Sequence, residues 1–235
     1  IGYVRADGSM DTGITIRTIR VRHGIAEVRA GATLLFESDP EAEERECRLK
    51  AAAMLSVLHG ESPAPSPKLQ SATEPCGVGR RIVLVDHQDS FVHTLAGYLR
   101  ETGATVTTLR AGFAPRLLDE LAPDLVVLSP GPGRPHDFAL AKTLEQVLAR
   151  HIGVFGVCLG LQGIVEYFGG SLDVLDSPRH GKKSNIRVLG GKLFHGLPPE
   201  FHAGRYHSLH ARRSELPTPL TITAESEDGV VMAIE

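Results

Sequence analysis

Residues 153–170 read GVFGVCLGLQGIVEYFGG. The run 153–157 is short and apolar, as a fully buried strand is. Residues 159–168 form a helical pattern, closed by Gly169-Gly170. At the junction stands Gly156-Val157-Cys158-Leu159-Gly160, a Gly-x-nucleophile-x-Gly elbow with cysteine in the nucleophile's place. The glycines let the chain turn sharply without Cβ clashes. Such a turn lifts the sulfur above the C-terminal edge of a sheet, where open α/β folds bind ligands. The helix N-terminus under the sulfur favours thiolate over thiol. The backbone N–H of Leu159 points to where an oxyanion would form. The plainer alternative is a buried structural cysteine at a strand end, a frequent role for Cys. Cys47 and Cys76 have neither the glycine spacing nor a helix N-terminus and read as bystanders.

Upstream of the elbow, strand and helix alternate from Arg80 onward. Strands are predicted at 81–85, 105–109, 125–128 and 153–157, and helices at 90–102, 115–121, 137–150 and 159–168. Apolar strands separated by helices define an α/β fold with an open, mostly parallel sheet and helices on both faces. After Ser171 the strands alternate and the turns crowd, which predicts an antiparallel extension. Residues 61–79, ESPAPSPKLQSATEPCGVG, hold four prolines without apolar periodicity and read as a linker. Before the linker, 13–22 and 26–36 read as a hairpin around Arg22-His23-Gly24. Ser38 or Asp39 caps a helix that starts near Pro40, runs through Leu58 and stops at Gly60. The expected organisation is an α+β fragment at 1–60, a linker at 61–79 and the α/β domain at 80–235.

Composition supports a globular chain. Of 235 residues, 42% are hydrophobic and 23% charged, enough apolar surface to offset chain entropy. A net charge of -3 supplies no basic field to hold nucleic acid. No apolar run reaches the ~18 residues of a membrane span. Three scattered cysteines form no disulfide framework, so a reducing cytoplasm is the expected compartment. The chain opens IGYVRADGSM and stops on the apolar run VVMAIE, so it is expected to be a piece of a longer protein.

Two further stretches bear on chemistry. Ser129-Pro130-Gly131-Pro132-Gly133-Arg134-Pro135 follows the strand at 125–128. Its prolines stiffen the loop, and its glycines let backbone N–H groups approach a ligand. Alone it would equally suit a plain turn. Arg205-Tyr206-His207-Ser208-Leu209-His210 offers a histidine as a base, or merely a polar surface strand. In the first block, Arg17 could grip a carboxylate, and Glu43 and Glu46 share a helix face that could hold Mg²⁺; a solvated face is the blander reading.

Taken together, these strings resemble a known family. Residues 81–235 resemble the class I, or triad, glutamine amidotransferases, in particular the glutaminase components of anthranilate synthases. The resemblance rests on Leu84-Val85-Asp86, Asp89-Ser90-Phe91, SPGPGRP at 129–135, GVCLGLQ at 156–162, HGK at 180–182 and RYHSL at 205–209. Residues 1–60 resemble the C-terminal end of the chorismate-binding synthase component, through GYVRADG at 2–8, ITIRT at 14–18, SDPEAEERE at 38–46 and Lys50-Ala51. The resemblance implies a fused enzyme that takes glutamine and chorismate. It implies Cys158 as nucleophile, with Gly131, Pro132, Gly133 and Leu159 forming the glutamine site and oxyanion hole. Gln162, Ser208 and Leu209 would hold the glutamine backbone groups. Arg17, Gly31, Ala32 and Thr33 would contact chorismate, and Glu46 would bind Mg²⁺, the synthase cofactor. Thr33 departs from the family, which usually has glycine there. The partner implied is the rest of a synthase domain in the same chain; a homo-oligomer is compatible with the resemblance but not specified by it, and no nucleic acid and no membrane are implied. The family's catalytic His and Glu lie in a His-Pro-Glu motif, and no such tripeptide occurs in these residues. His207 therefore belongs to the glutamine-binding string, and these residues by themselves are expected to be inactive. Other chorismate aminases of the same architecture, for aminodeoxychorismate or phenazine synthesis, fit the same strings, as does a non-catalytic binding domain.

Overall fold

The computed structural model describes residues 2–4, 10–12, 18–31, 39–59, 75–175 and 181–235. The chain divides into two compact units, Ile1–Ala72 and Thr73–Glu235.

In the first unit, β1 (Gly2–Val4) pairs antiparallel with β2 (Met10–Thr12), and β3 (Ile19–Arg22) with β4 (Ile25–Val28). His23 and Gly24 both have positive φ, 49° and 78°, the signature of a two-residue hairpin turn that matches strand twist. The hairpin thus falls where the sequence predicts it. Helix α1 (Pro40–Leu58) is capped by Asp39, whose Oδ1 accepts the Glu41 N–H at 2.9 Å. Ser38, the other capping candidate, and Gly60, the predicted stop, lie outside the described residues. Leu49 of this helix is 73% exposed.

The second unit opens on a turn. Gly77 N–H donates to the Thr102 carbonyl at 2.8 Å, and a Cβ at Gly77 would strike the Thr102 side chain. Residues 75–79, read as the end of the linker, therefore pack on this unit. Then come β5 (Arg81–Asp86), α2 (Val92–Glu101), β6 (Thr105–Arg110), α3 (Arg116–Leu121), β7 (Leu125–Leu128), α4 (Leu140–Leu148), β8 (Gly153–Gly156) and α5 (Leu159–Tyr167). The four strands form a parallel sheet in the order β6-β5-β7-β8. Val83, Val85, Val126 and Leu128 pack on one face with Leu118, Leu140, Leu144, Val147 and Leu159. Ile82, Leu84 and Val127 pack on the other with Val92 and Ala96. Both strand faces are buried, which is why these strands read as continuous apolar runs.

The helix predicted at 137–150 is broken. Pro135–Phe138 is a 3-10 turn, Ala139 has φ 47°, and α4 begins only at Leu140. Asp137 Oδ2 accepts the Arg134 N–H at 2.7 Å and caps this first turn. The break falls at Ala139, whose left-handed backbone ends the turn with its N–H on the His136 carbonyl before α4 begins.

The antiparallel extension is present. β9 (Leu172–Val174) pairs with β12 (Leu209–Ala211). β10 (Lys182–Val188), β11 (Glu200–Arg205), β13 (Ile222–Ser226) and β14 (Val231–Ile234) form a sheet ordered β11-β10-β13-β14. Glu225 on β13 is 6% exposed and accepts from Arg187, its cross-strand neighbour on β10, and from Arg213. The Arg187 hydrogen bond, then that of Arg213, holds its carboxyl below the ordinary glutamate range. A lowered carboxyl pKa contributes stability above the unfolded value of about 4.3 and loses it as pH falls through the folded value. Glu225→Gln is therefore expected to lower the melting temperature at pH 7, with the gap from the parent chain closing below about pH 4. A gap independent of pH would show that the ion pairs are not its source.

Candidate active site

Strand β8 runs into the elbow, and α5 leaves it. Cys158 has φ 52° and ψ -102°, a conformation that costs a non-glycine residue energy and is held by its surroundings. The two flanking glycines make those surroundings. A Cβ on Gly156 would lie 2.5 Å from the Gly160 carbonyl carbon, and one on Gly160 would lie 2.5 Å from the Leu128 oxygen. The helix start thus packs directly on the backbone of β8 and β7. Val157 N–H donates to the Leu128 carbonyl at 2.9 Å and ties the elbow to the sheet.

Burial pushes the Cys158 thiol above its ordinary pKa; the Leu159 N–H pulls it down, and the Asp89 charge adds to the rise. Desolvation in the elbow thus works against the thiolate that the helix N-terminus favours.

The loop after β7 lies against the elbow. A Cβ on Gly131 would meet Leu159 Cδ2 at 2.6 Å and the His87 carbonyl oxygen at 2.8 Å. Only glycine permits that approach, which brings Gly131 against the Leu159 side chain. Pro132 and Gly133 are exposed beyond it. On the other side, buried Gln162 of α5 donates through Nε2 to the Leu209 carbonyl at 2.9 Å. His207 Nδ1 lies 3.0 Å from the same oxygen. Ser208 accepts the Leu175 N–H at 2.8 Å. Gln162, Ser208 and Leu209 are thus brought to the helix that begins at Cys158. Burial, opposed by the Leu209 hydrogen bond, lowers the His207 pKa, and its Nδ1 is turned to the Leu209 carbonyl.

Sequence reasoning missed Arg205 as an anchor. Its side chain is 0% exposed, and one guanidinium nitrogen bonds both Asp228 carboxylate oxygens, at 2.8 and 2.9 Å. The pair locks the strand that leads into His207-Ser208-Leu209. The signal available was an arginine in an otherwise alternating strand, opposite the Asp228-Gly229 turn. Beside the site, at the C-terminal ends of β5 and β6, a depression of about 720 Å³ is lined by Asp86, Gln88, Asp89, Ser90, Val92, His93 and Arg110. Arg110 pairs with Asp86 there at 3.2 Å.

In the first unit, Gly31 is exposed and its carbonyl accepts from Lys50 Nζ at 3.3 Å. Arg17, Ala32 and Thr33 lie outside the described residues, as do His180 and the side chain of Glu46, whose backbone lies in α1. Among the described residues, no group of three or more His, Cys, Asp or Glu side chains could hold a metal ion. No helix of the described residues is long and apolar enough to cross a membrane.

A cysteine elbow on a parallel α/β sheet, with a glycine loop against it, defines a class of thiol-nucleophile domain. Comparison with known proteins narrows that class. The family model described as glutamine amidotransferase class-I matches residues 83–235, and the chain belongs to that family. A second, chorismate binding enzyme, matches residues 1–56. The chain is 61% identical over 234 residues to an anthranilate synthase of Azospirillum brasilense, covering 100% of this chain and 32% of that protein. It therefore spans about a third of that relative's length. It is 37% identical to the aminodeoxychorismate/anthranilate synthase component 2 of Bacillus subtilis, over 65% of this chain and 79% of that one. A solved structure described as that of a putative GMP synthase subunit from Thermoplasma acidophilum aligns with TM-score 0.59 at 26% identity, covering 66% of this chain and 77% of that one.

Proposed function

We propose that residues 80–235 are the glutamine-hydrolysing domain of a glutamine-dependent anthranilate synthase, joined through 61–79 to the end of its chorismate-binding domain at 1–60. The observation that carries this reading is the meeting of Gly131 and Leu159 beside the strained Cys158 elbow, with Gln162 tied to Leu209. Cys158 sulfur attacks the side-chain amide carbon of glutamine. The tetrahedral oxyanion is held by backbone N–H groups at Leu159 and the 131–133 loop. Collapse breaks the C–N bond, the nitrogen takes a proton, and ammonia leaves a γ-glutamyl thioester. Water then attacks the thioester, releasing glutamate and the Cys158 thiol.

On this reading, ammonia replaces the departing hydroxyl of chorismate, and elimination of pyruvate gives anthranilate for tryptophan synthesis, a lyase reaction. Arg17, Gly31, Ala32 and Thr33 would hold chorismate, and Glu46 would contribute one carboxylate to Mg²⁺, whose ligand set is not complete among the described residues. The enzyme is cytoplasmic. The triad base is the histidine of a His-Pro-Glu motif, which these 235 residues lack. Loss of a triad member costs several orders of magnitude in rate, so these residues alone release almost no ammonia from glutamine.

The test uses the complete gene product with chorismate and either glutamine or ammonium. Anthranilate and pyruvate are expected with both. Cys158→Ser should reduce the glutamine-dependent yield about 10³-fold or more and leave the ammonium-dependent yield intact. Aminodeoxychorismate as product, or glutamine-dependent turnover by Cys158→Ser, would overturn the reading.

A further inference from the structure

His87 follows β5 and is 0% exposed. Its backbone N–H donates to Ser129 Oγ at 2.9 Å, and its Nδ1 lies 3.1 Å from the same oxygen. The Ser129 hydroxyl proton is already directed at the Pro130 carbonyl, 2.6 Å away. Ser129 Oγ therefore accepts from both His87 groups, which places the imidazole proton on Nδ1. Nε2 is left as a bare lone pair, buried without a hydrogen-bond partner. The Phe138 ring packs edge-on at 5.4 Å. Burial lowers the His87 pKa, against opposing effects of Ser129 and Asp86, which keeps the ring neutral. A buried unpaired nitrogen costs stability. A leucine would fill the space without that cost, so the benefit of the ring lies on its Nδ1 side. That side faces the loop whose Gly131 rests on His87 Cβ and on Leu159.

We propose that His87 is a positioning residue of the glutamine site, its Nδ1–H holding Ser129 so that the 129–133 loop is set against Leu159 beside Cys158. His87 acts through the loop. The proposal rests on Cys158 being the glutamine nucleophile. Asparagine and glutamine separate the two ring nitrogens. In His87→Asn the side-chain amide nitrogen would sit near the place of Nδ1, and in His87→Gln near the place of Nε2. We would measure Cys158 modification in the 235-residue chain by a glutamine-derived chloroketone, resolved into a saturation constant and a maximal rate. Iodoacetamide, which needs no glutamine site, gives the comparison rate. Long-range ¹H–¹⁵N NMR of the parent chain reads the His87 tautomer, with His87→Asn assigning the signal.

The ring proton is expected on Nδ1. His87→Asn should keep chloroketone efficiency within about threefold, while His87→Gln and His87→Leu lose roughly tenfold, the worth of one buried hydrogen bond. Their iodoacetamide rates at Cys158 should stay within about twofold of the parent chain, a split that mere destabilisation would not give. A proton on Nε2, or equal efficiencies for the Asn, Gln and Leu variants, would overturn the role of His87 while leaving Cys158 as nucleophile. A parent chain not modified at Cys158 would overturn both. The NMR readout decides even if the Gln and Leu variants fail to fold.

Discussion

Gly160→Ala is expected to destabilise the amidotransferase domain by about 3 kcal/mol or more, at the upper end of what overpacking a filled core costs. The new Cβ would lie 2.5 Å from the Leu128 oxygen and 2.7 Å from the Leu128 Cβ. Neither atom can yield, because β7 is pinned between β5 and β8 in the centre of the sheet. Relief would require α5 to lift away, and Cys158 stands at its start. Gly97→Ala is the control. Gly97 lies in α2 with open space around its Cβ position, so alanine there should be neutral or stabilising by up to ~1 kcal/mol. Urea unfolding of both variants checks the contrast. Comparable midpoints would mean that the tight helix-to-strand contact does not hold the elbow.

The second large effect concerns the three thiols. Cys76 is exposed, Cys47 and Cys158 half-buried. Burial raises the Cys158 pKa, with the Leu159 N–H opposing and the Asp89 charge assisting. A raised pKa leaves less thiolate at neutral pH, and thiolate is the reactive form. Iodoacetamide at pH 7 is therefore expected to modify Cys76 roughly tenfold faster than Cys158 or more, access and ionisation acting together. The Cys158 rate should go on rising as pH is raised above neutrality. Peptide mapping across a pH series measures both. A Cys158 rate already flat at pH 7 would mean a resting thiolate, and the helix N-terminus would then have outweighed burial.

Much of this is legible in the sequence because local chemistry leaves few alternatives. The GVCLG glycines announce a strand, a tight turn and a helix, and each proves to sit against backbone. The parallel sheet shows as apolar runs because both faces of β5 and β7 are covered. What is not legible depends mostly on contacts distant in sequence. The break at Ala139 is a left-handed residue with no glycine or asparagine to announce it. The Cys158 pKa depends on how much protein surrounds the sulfur, which no motif encodes. Arg205 finds Asp228 across 23 positions, and His87 finds Ser129 across 42. In the string LVDHQDSF, the histidine stands between stronger signals and gives none of its own.

The central claim is that Cys158 is a nucleophile built to receive glutamine, although it is not the most reactive thiol in the chain. A substrate-shaped electrophile separates those properties. The chain, incubated with a glutamine-derived chloroketone at pH 7 and mapped by peptide mass spectrometry, should carry the adduct first on Cys158. Free glutamine should slow that adduct, and Cys158→Ser should remove it. Iodoacetamide should give the opposite order, with Cys76 first. Chloroketone labelling that fell on Cys76 or Cys47 before Cys158, or that glutamine did not slow, would contradict the account.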